Sequence, residues 1–561
     1  MSRRRSLSIL LVAVSLGACD QPSGLTGPVQ PADGPAFSSV AVNCTGDATY
    51  DTQLIRDRVA QADILNFGAT RCVVNDTINL DSNTVISGLG RTSTIFYNRP
   101  AYFEGAAGWD TAPFVVPHTA QNVVVEKMHF EGTQSMHQFA VLVYGGRNVT
   151  VRNSFFSKIG LVGSNARDNI ETTDTARLAR EIYVLNDTVL QGVCGGIVTC
   201  KGSSSRNNAI ELTHVLDGEI RNNHIMNYTT GIAIVGGNAM TQPDRRRMAG
   251  RFLIHGNRVD QVDTGIMTSN AFEVNVNENF VTNCTDVCLD AEGSERVGFY
   301  ANRAYDAGNY TIATFYNAEG VVFNWNHLRK DLTWTDENGT PRDNGQHSLY
   351  RAVRDDGSTY KRVGVKIHNN LFAWDGPGVG NVFKETAGPD DTSPSVNYIL
   401  FDNNELHDVM VIWDWKQYDQ GTIQMRGNTI TFTKTPDRAA IGVVGTHLAG
   451  NKRSIPLNGD WNLEIAGNII KNKSGQDPAK PAVDVLQNCA CAVNTLIQAN
   501  DIRGFSTSIK VTSSVYNPNT GRSEPRSDHY FGIHDNGVSG TVSTSSAATV
   551  NETGTYSVPN T

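Results

Sequence analysis

The sequence predicts an all-β parallel solenoid, one chain wound into stacked coils and closed at its N-terminal end by a single helix. Three observations predict it. Only 18% of the 561 residues are charged and Gly is abundant, a composition of short strands and tight turns rather than of helices. An eight-residue pattern recurs along the chain: apolar, any, apolar, any, any, Asn, any, apolar. The tightest copies, at Asn257, Asn279, Asn302 and Asn326, are spaced by 22, 23 and 24 residues.

The copies read "FLIHGNRV", "VNVNENFV", "VGFYANRA" and "VVFNWNHL". The same Asn recurs at Asn223, Asn370, Asn404, Asn428, Asn468 and Asn500, and looser copies put Met128, Ser154 and Asp187 in its place. Period-two alternation is a strand with one buried face. A strand that ends in Asn and restarts two residues later turns a sharp corner, and Asn tolerates the left-handed conformation such a corner needs. Stacked coils let the Asn side chains bond in a ladder. About 22 residues make three short strands and three turns, and no single coil can bury its apolar face, so only stacking closes the core. A β-propeller needs blades of about 40 to 50 residues, which this spacing excludes.

On these residues, over 120–511, the chain resembles the right-handed parallel β-helix family, the pectate-lyase-like fold of carbohydrate-active proteins, in which an Asn ladder is a familiar feature. The resemblance implies a right-handed single-stranded parallel β-helix with a glycan-binding cleft along one parallel sheet, walled by insertions such as 164–181 and 329–362. The entry departs from the family's usual glycine-rich "GDG…DDT": here it is "TGDATYDT".

The elements follow in order. Residues 1–19, "MSRRRSLSILLVAVSLGAC", have a basic start and an apolar run too short to span a bilayer, and read as a secretory signal. "LGAC" resembles the bacterial lipobox, which implies lipidation of Cys19 and a membrane anchor at the cell envelope. Residues 20–43 are rich in Pro, Gly and Ser and read as a tether. Residues 44–119 form the cap and first coils. Within them "YDTQLIRDRVAQA" (50–62) puts Leu54, Ile55, Val59 and Ala62 on one helical face, with Thr52 as N-cap. The β-helix runs through 120–511, and the Ser/Thr/Asn/Gly-rich residues 512–561 read as a loose cap or disordered tail. The net charge of −9 gives no pull toward nucleic acid.

Without Cys19 eight cysteines remain, in local pairs: Cys44 with Cys72, Cys194 with Cys200, Cys284 with Cys288, and Cys489 with Cys491. An even, clustered count in an exported chain reads as disulfides. The last pair, one residue apart, is the poorest candidate, and no cluster supplies the four ligands of a zinc site.

Ionisable chemistry gathers in "NCTDVCLDAEGSE" (283–295). This segment is predicted to share a parallel sheet with "GIAIVGGN", "GIMTSN" and "YTIATFYN". With Val287 and Leu289 inward, Cys288, Asp290 and Glu292 point out. Paired carboxylates divide acid and nucleophile or base roles in glycoside hydrolysis; Asp286, Asp290 and Glu292 could equally hold Ca²⁺, the one candidate cofactor. Against this, the coil ends "NAM", "NAF", "DAE" and "NAE" put Asp290 in the slot of Asn238, Asn270 and Asn317, where a second corner ladder explains it without catalysis. Glu292-Gly293 is echoed by Glu319-Gly320.

A lyase needs a base and a cation. Lys201 follows a strand of the same sheet, and the loop carrying Arg245, Arg246 and Arg247 starts roughly 10 Å from Asp290, placed to bind an anionic sugar unless it is plainly solvated. Arg221 sits in a strand-to-corner segment and is a weak partner for Lys201. Tyr310, Phe315 and Tyr316 would lie beside the acids as sugar contacts. Trp413 and Trp415 share one face, which is core if Val411 shares it and a stacking platform otherwise. His327 and His407 flank Asn corners and read as structural. The predicted function is an exported, membrane-tethered enzyme that cleaves a uronate-containing polysaccharide, as lyase or hydrolase. The other class is a non-catalytic glycan-binding or surface adhesion protein.

Overall fold

The computed structural model describes residues 37–99, 103–104, 107–108, 110–133, 138–164, 178–190, 208–237, 248–315, 318–331, 346–351, 363–385, 396–416, 420–446, 461–488, 493–517, 522–525, 529–544 and 549–560. The chain is a right-handed parallel β-helix of three faces. The first face is an 18-stranded sheet from Ser39–Val42 to Thr549–Thr553, and the second holds 17 strands from Arg71–Val74 to Tyr556–Ser557. The third begins as an 11-stranded sheet from Ile78–Asn79 to Lys384–Glu385 and continues as a seven-stranded one. Successive coils pair in parallel and in register, as Leu253–Asn275, Ile254–Val276 and His255–Asn277 do.

The predicted ladder is present. Asn302 Oδ1 accepts from the Asn279 backbone N–H and from its Nδ2, both at 3.0 Å, and Asn302 repeats this with Asn326 at 2.9 and 3.0 Å. Each amide also donates to a backbone carbonyl of the coil before, as Asn302 Nδ2 does to Val276 O at 2.9 Å. These side chains are buried, so each rung satisfies groups that would otherwise be orphaned. The left-handed residue, however, is the one before the ladder Asn: Asn222 has φ 55°, Gly256 63°, Trp325 59° and Asn369 55°. The ladder Asn is inside the corner and the residue ahead of it makes the turn. Along the interior, like side chains stack, with Phe299 and Phe323 rings 4.8 Å apart.

The ends correct the boundaries. The first strand, Ser39–Val42, starts inside the stretch assigned to the tether. Residues 512–561 are not a loose tail: Tyr530–His534 and Thr549–Thr553 extend the first sheet, and Asn536 Oδ1 accepts from Asn500 at 3.0 Å as a further rung. The cap helix is Ala48–Val59, and its N-cap is Asp47, which accepts from Tyr50 N at 2.8 Å. Thr52 is one turn further in and is buried, donating to Ala48 O and to Asn75 Oδ1. Ile55 and Val59 enter the core, with Leu54 packed at its edge. Buried Asp51 ties the cap down, accepting from the backbone N–H groups of Thr45, Gly46 and Val73 at 2.7 to 3.0 Å. The Cys44–Cys72 bridge joins the segment before the helix to the second face.

Asp187 occupies an Asn slot. Its Oδ1 accepts from Ser154 N at 2.8 Å, its Oδ2 has no hydrogen-bond partner, and burial pushes its carboxyl well above the usual range. An amide there would reach the Val151 carbonyl, as Asn223 Nδ2 reaches Val184 O and Asn257 Nδ2 reaches Ile220 O. A carboxyl raised in the folded state holds its proton more tightly than the unfolded chain does. Its contribution is therefore full below about pH 4 and is lost as pH rises toward the folded value. Asp187→Asn is expected to stabilise the protein at neutral pH by about 1–3 kcal/mol and to flatten this decline. Denaturant unfolding from pH 4 to 8 checks both.

Candidate functional site

The strand Val287–Glu292 lies in the third face, between Thr264–Ser269 and Tyr310–Phe315. Leu289 and Ala291 belong to the main core, so Asp290 and Glu292 face outward as predicted. The two residues ahead of them are exchanged. Cys288 enters the core, whereas Val287 packs with Ala313, Tyr310 and Phe315 on the outer side. The next strand repeats this order, with Tyr310 and Ala313 outside and Thr311 and Ile312 buried, so the exchange belongs to the corner that opens each strand of this face.

Asp290 is not in a corner slot. It pairs with Met267 on one side and Ala313 on the other, while Asn270 lies level with Gly293, three residues further along, its N–H bonded to Glu292 O. Glu319 bridges Glu295 rather than echoing Glu292. The second corner carries its own rung, with Ala271 N donating to Ser294 Oγ at 3.2 Å. The ladder explanation of Asp290 therefore falls. Asn238 and Asn317, used in that comparison, lie outside the described residues.

Asp290 is 4% exposed, and its Oδ1 has no hydrogen-bond partner. Burial pushes its carboxyl well above the usual range, and the neighbouring charges of Glu292 and Asp286 push the same way, against one backbone bond from Ala291. Ser269 Oγ donates to Glu292 Oε2 at 3.1 Å. Asp286 accepts from Asn309 Nδ2 at 2.6 Å, and burial raises its carboxyl too. In turn the Asn309 carbonyl accepts from the buried ammonium of Lys330 at 2.8 Å. One coil before Asp286, Asp263 accepts from Thr285 Oγ1, and burial and Asp286 carry its carboxyl to about 6. Tyr310 stands beside these acids, its phenol raised by burial and by Asp286.

The sequence reading missed Asp263, Ser269, Asn309 and Lys330. A signal for two of them exists: Asp263, Asp286 and Asn309 open consecutive strands at a spacing of 23 residues. Lys201, Arg245, Arg246, Arg247 and Tyr316 lie outside the described residues. So do Cys19, the expected bridge between Cys194 and Cys200, and the pair formed by Cys489 and Cys491. The disulfides among the described residues are therefore Cys44 with Cys72 and Cys284 with Cys288. Arg221 ends a strand of the first face, 3.5 Å from Glu219, and takes no part. Trp413 is core, buried with Val411 and against Phe383. His327 bonds to Tyr305 OH at 2.8 Å and His407 pairs with Glu405 at 2.8 Å, both structural as expected. Among the described residues no three of His, Cys, Asp or Glu stand where they could hold a metal ion, so Asp286, Asp290 and Glu292 alone do not make a Ca²⁺ site.

No protein-family model and no curated protein matches this chain. Among solved structures, the A-module of mannuronan C-5 epimerase AlgE4 from Azotobacter vinelandii is similar at 10% identity with a TM-score of 0.44, over 69% of this chain and 98% of that one. The surface adhesin PfbA of Streptococcus pneumoniae is similar at 11% identity and 0.36, over 85% and 94%. The catalytic unit of a GH87 α-1,3-glucanase from Streptomyces thermodiastaticus is similar at 12% and 0.35, over 92% and 71%.

A buried carboxyl with an unbonded oxygen costs stability wherever it serves no structural bond. Asp290→Leu, nearly isosteric and flanked by Met267 and Ala313, is expected to raise unfolding free energy at neutral pH by about 1–3 kcal/mol. Thermal or denaturant unfolding measures it; a loss of stability would make Asp290 a structural residue.

Proposed function

We propose that the protein cleaves glycosidic bonds of a polysaccharide laid along the outer side of the third face, with Asp290 as general acid and Glu292 as its carboxylate partner. The observation that supports this most is Asp290: a carboxyl with one oxygen unbonded, almost wholly buried and pushed well above the usual range by that burial, two residues from a second acid on the same face. Two carboxyl groups on one face, one of them raised by burial, are the pairing that glycoside hydrolysis uses. Asp290 would protonate the leaving oxygen while Glu292 attacks the anomeric carbon or activates a water. The lyase alternative would draw its base and cation from Lys201 and Arg245 to Arg247, which lie outside the described residues.

The test is a screen of acidic and neutral polysaccharides for new reducing ends, with ultraviolet absorbance of an unsaturated uronate read in parallel. Asp290→Asn and Glu292→Gln are each expected to lower kcat/KM by about 100-fold or more. Activity should fall as pH rises through the raised value of Asp290, since the acid is then spent. Unsaturated product instead of plain reducing ends would make the enzyme a lyase. Retention of a glycan without either product would make it a binding or adhesion protein. A chelator arm tests the Ca²⁺ expectation.

The same reading includes export and a lipid anchor at Cys19, supported by the "LGAC" stretch. No helix among the described residues is long and apolar enough to cross a membrane. Cys19→Ala is expected to move the protein from the membrane fraction to the soluble fraction of cells. Unchanged partition would remove the anchor.

A further inference from the structure

The second face carries a row of side chains that cleavage at Asp290 does not use. The residue after each ladder Asn opens a strand of this face, and there Arg258, Phe280, Arg303 and His327 stand in register. The residue after each enters the core, as Val281 and Ala304 do, so the row faces outward. It crosses consecutive strands without a shift, which puts Arg258 and Arg303 about 10 Å apart. From Arg71 to Leu371 the row holds no acidic residue, in a chain whose net charge is −9.

The row is braced, and the acids nearest it are engaged. Tyr305, in the next outward row, meets Phe280 edge-on at 5.5 Å, and its hydroxyl lies 2.8 Å from His327 Nδ1. Arg258 stands over the Phe280 ring at 5.5 Å. Asp260, 3.9 Å from Arg258, is buried and accepts from Asn283 Nδ2 at 2.8 Å. Asp375 is paired with Arg329. Arg303 is exposed and has no hydrogen bond or ion pair among the described residues. The corner that opens the row adds an indole. Trp325, just ahead of Asn326, is 66% exposed and has φ 59°. Neighbouring coils place Gly256, Glu278, Ala301 and Asn369 at this left-handed corner. A bulky side chain is an outlier there, and an indole left in water adds nothing to the core. The stack therefore gives no reason for tryptophan at this place.

We propose that this row, with Trp325 at its edge, binds a linear anionic polysaccharide whose sugars carry carboxylates. A guanidinium takes a carboxylate by two parallel bonds, and an exposed indole covers the apolar C–H face of a sugar ring. Cations two strands apart on one line match a polymer whose charges repeat along an extended chain. A bilayer surface fits less well. Contact with it needs a continuous apolar face, and among the described residues Trp325 is the one large apolar side chain exposed at this stretch of the row. The net charge of −9 disfavours nucleic acid. The row lies on a different face from Asp290 and does not depend on its acid role.

The experiment uses the full chain with Arg303→Thr, with Arg258→Thr and Arg303→Thr together, and with Trp325→Asn. Each is made in an Asp290→Asn background, so that a ligand that is also a substrate stays uncut. Thr already stands in this row at Thr188, and Asn takes the same corner at Asn369, so the variants keep the fold, which circular dichroism checks. Affinity electrophoresis and tryptophan fluorescence read binding to polygalacturonate, with neutral dextran, anionic vesicles and single-stranded DNA in parallel. Arg303→Thr is expected to weaken binding of the polyuronate about 10-fold, and the double variant further. Trp325→Asn is expected to weaken binding and to remove most of the fluorescence change. Binding left unchanged by the arginine and tryptophan variants overturns the proposal. Equal binding of dextran, or stronger binding of vesicles or DNA, overturns it too. Polyuronate held through the row by a chain that cleaves no polysaccharide keeps the row and removes the cleavage reading. Cleavage that needs Asp290, with binding indifferent to the row, does the reverse.

Discussion

The rung between one buried Asn and the next is the constraint on which the rest of this structure depends. Each side-chain oxygen takes two N–H groups from the coil before it, and each amide gives one bond to the next rung and one to a carbonyl. This fixes the height of every coil at one point on its perimeter. Spacing along the chain is free elsewhere: 22 residues separate Asn257 from Asn279 and 44 separate Asn326 from Asn370, yet the rungs are 3.0 and 2.9 Å. Insertions leave the ladder untouched because they leave and return between rungs. The third face, which adjoins no Asn rung on either side, is where the chain has room for side chains that the stack does not need.

How much of this was legible follows from which residues repeat. The ladder was legible because burial of an amide admits few substitutes, so Asn recurs letter for letter. Its last rung, Asn536, was hidden by a tail whose composition reads as loose. The cap helix was legible from its apolar face, but its N-cap was not. Asp47 rather than Thr52 does that work, and the difference is visible only in which side chain reaches Tyr50 N.

The alignment of Asp290 failed for a physical reason. Matching "DAE" to "NAF" compares letters, whereas strands are aligned by counting from the ladder. Met267 lies ten residues past Asn257, and Asp290 and Ala313 lie eleven past Asn279 and Asn302, while Asn270 lies thirteen past Asn257. Counted that way, Asp290 is in mid-strand, facing out. What no count could show is that its carboxyl is nearly sealed from solvent, because burial depends on how neighbouring coils pack and not on position along one strand.

Two buried carboxyls, Asp187 and Asp290, have values pushed well above the usual range by the same cause, burial. Perturbation alone therefore does not mark a site. Their surroundings separate them. Asp187 stands inside the stack in a slot that elsewhere holds Asn, one oxygen engaged by Ser154, with no other carboxylate contributing to its shift. It is a near-copy of a rung, and its unbonded oxygen is what an imperfect substitution leaves behind. Asp290 stands outside the stack, in a position held by Met and Ala in the flanking strands, where nothing structural asks for a carboxyl. Two further acids raise it, and one of them sits on a bridged loop that glycines on both sides accommodate. Asp290 is thus a group that the stacked interior of bonded amides does not use, and one that burial and two neighbouring acids push toward its protonated form.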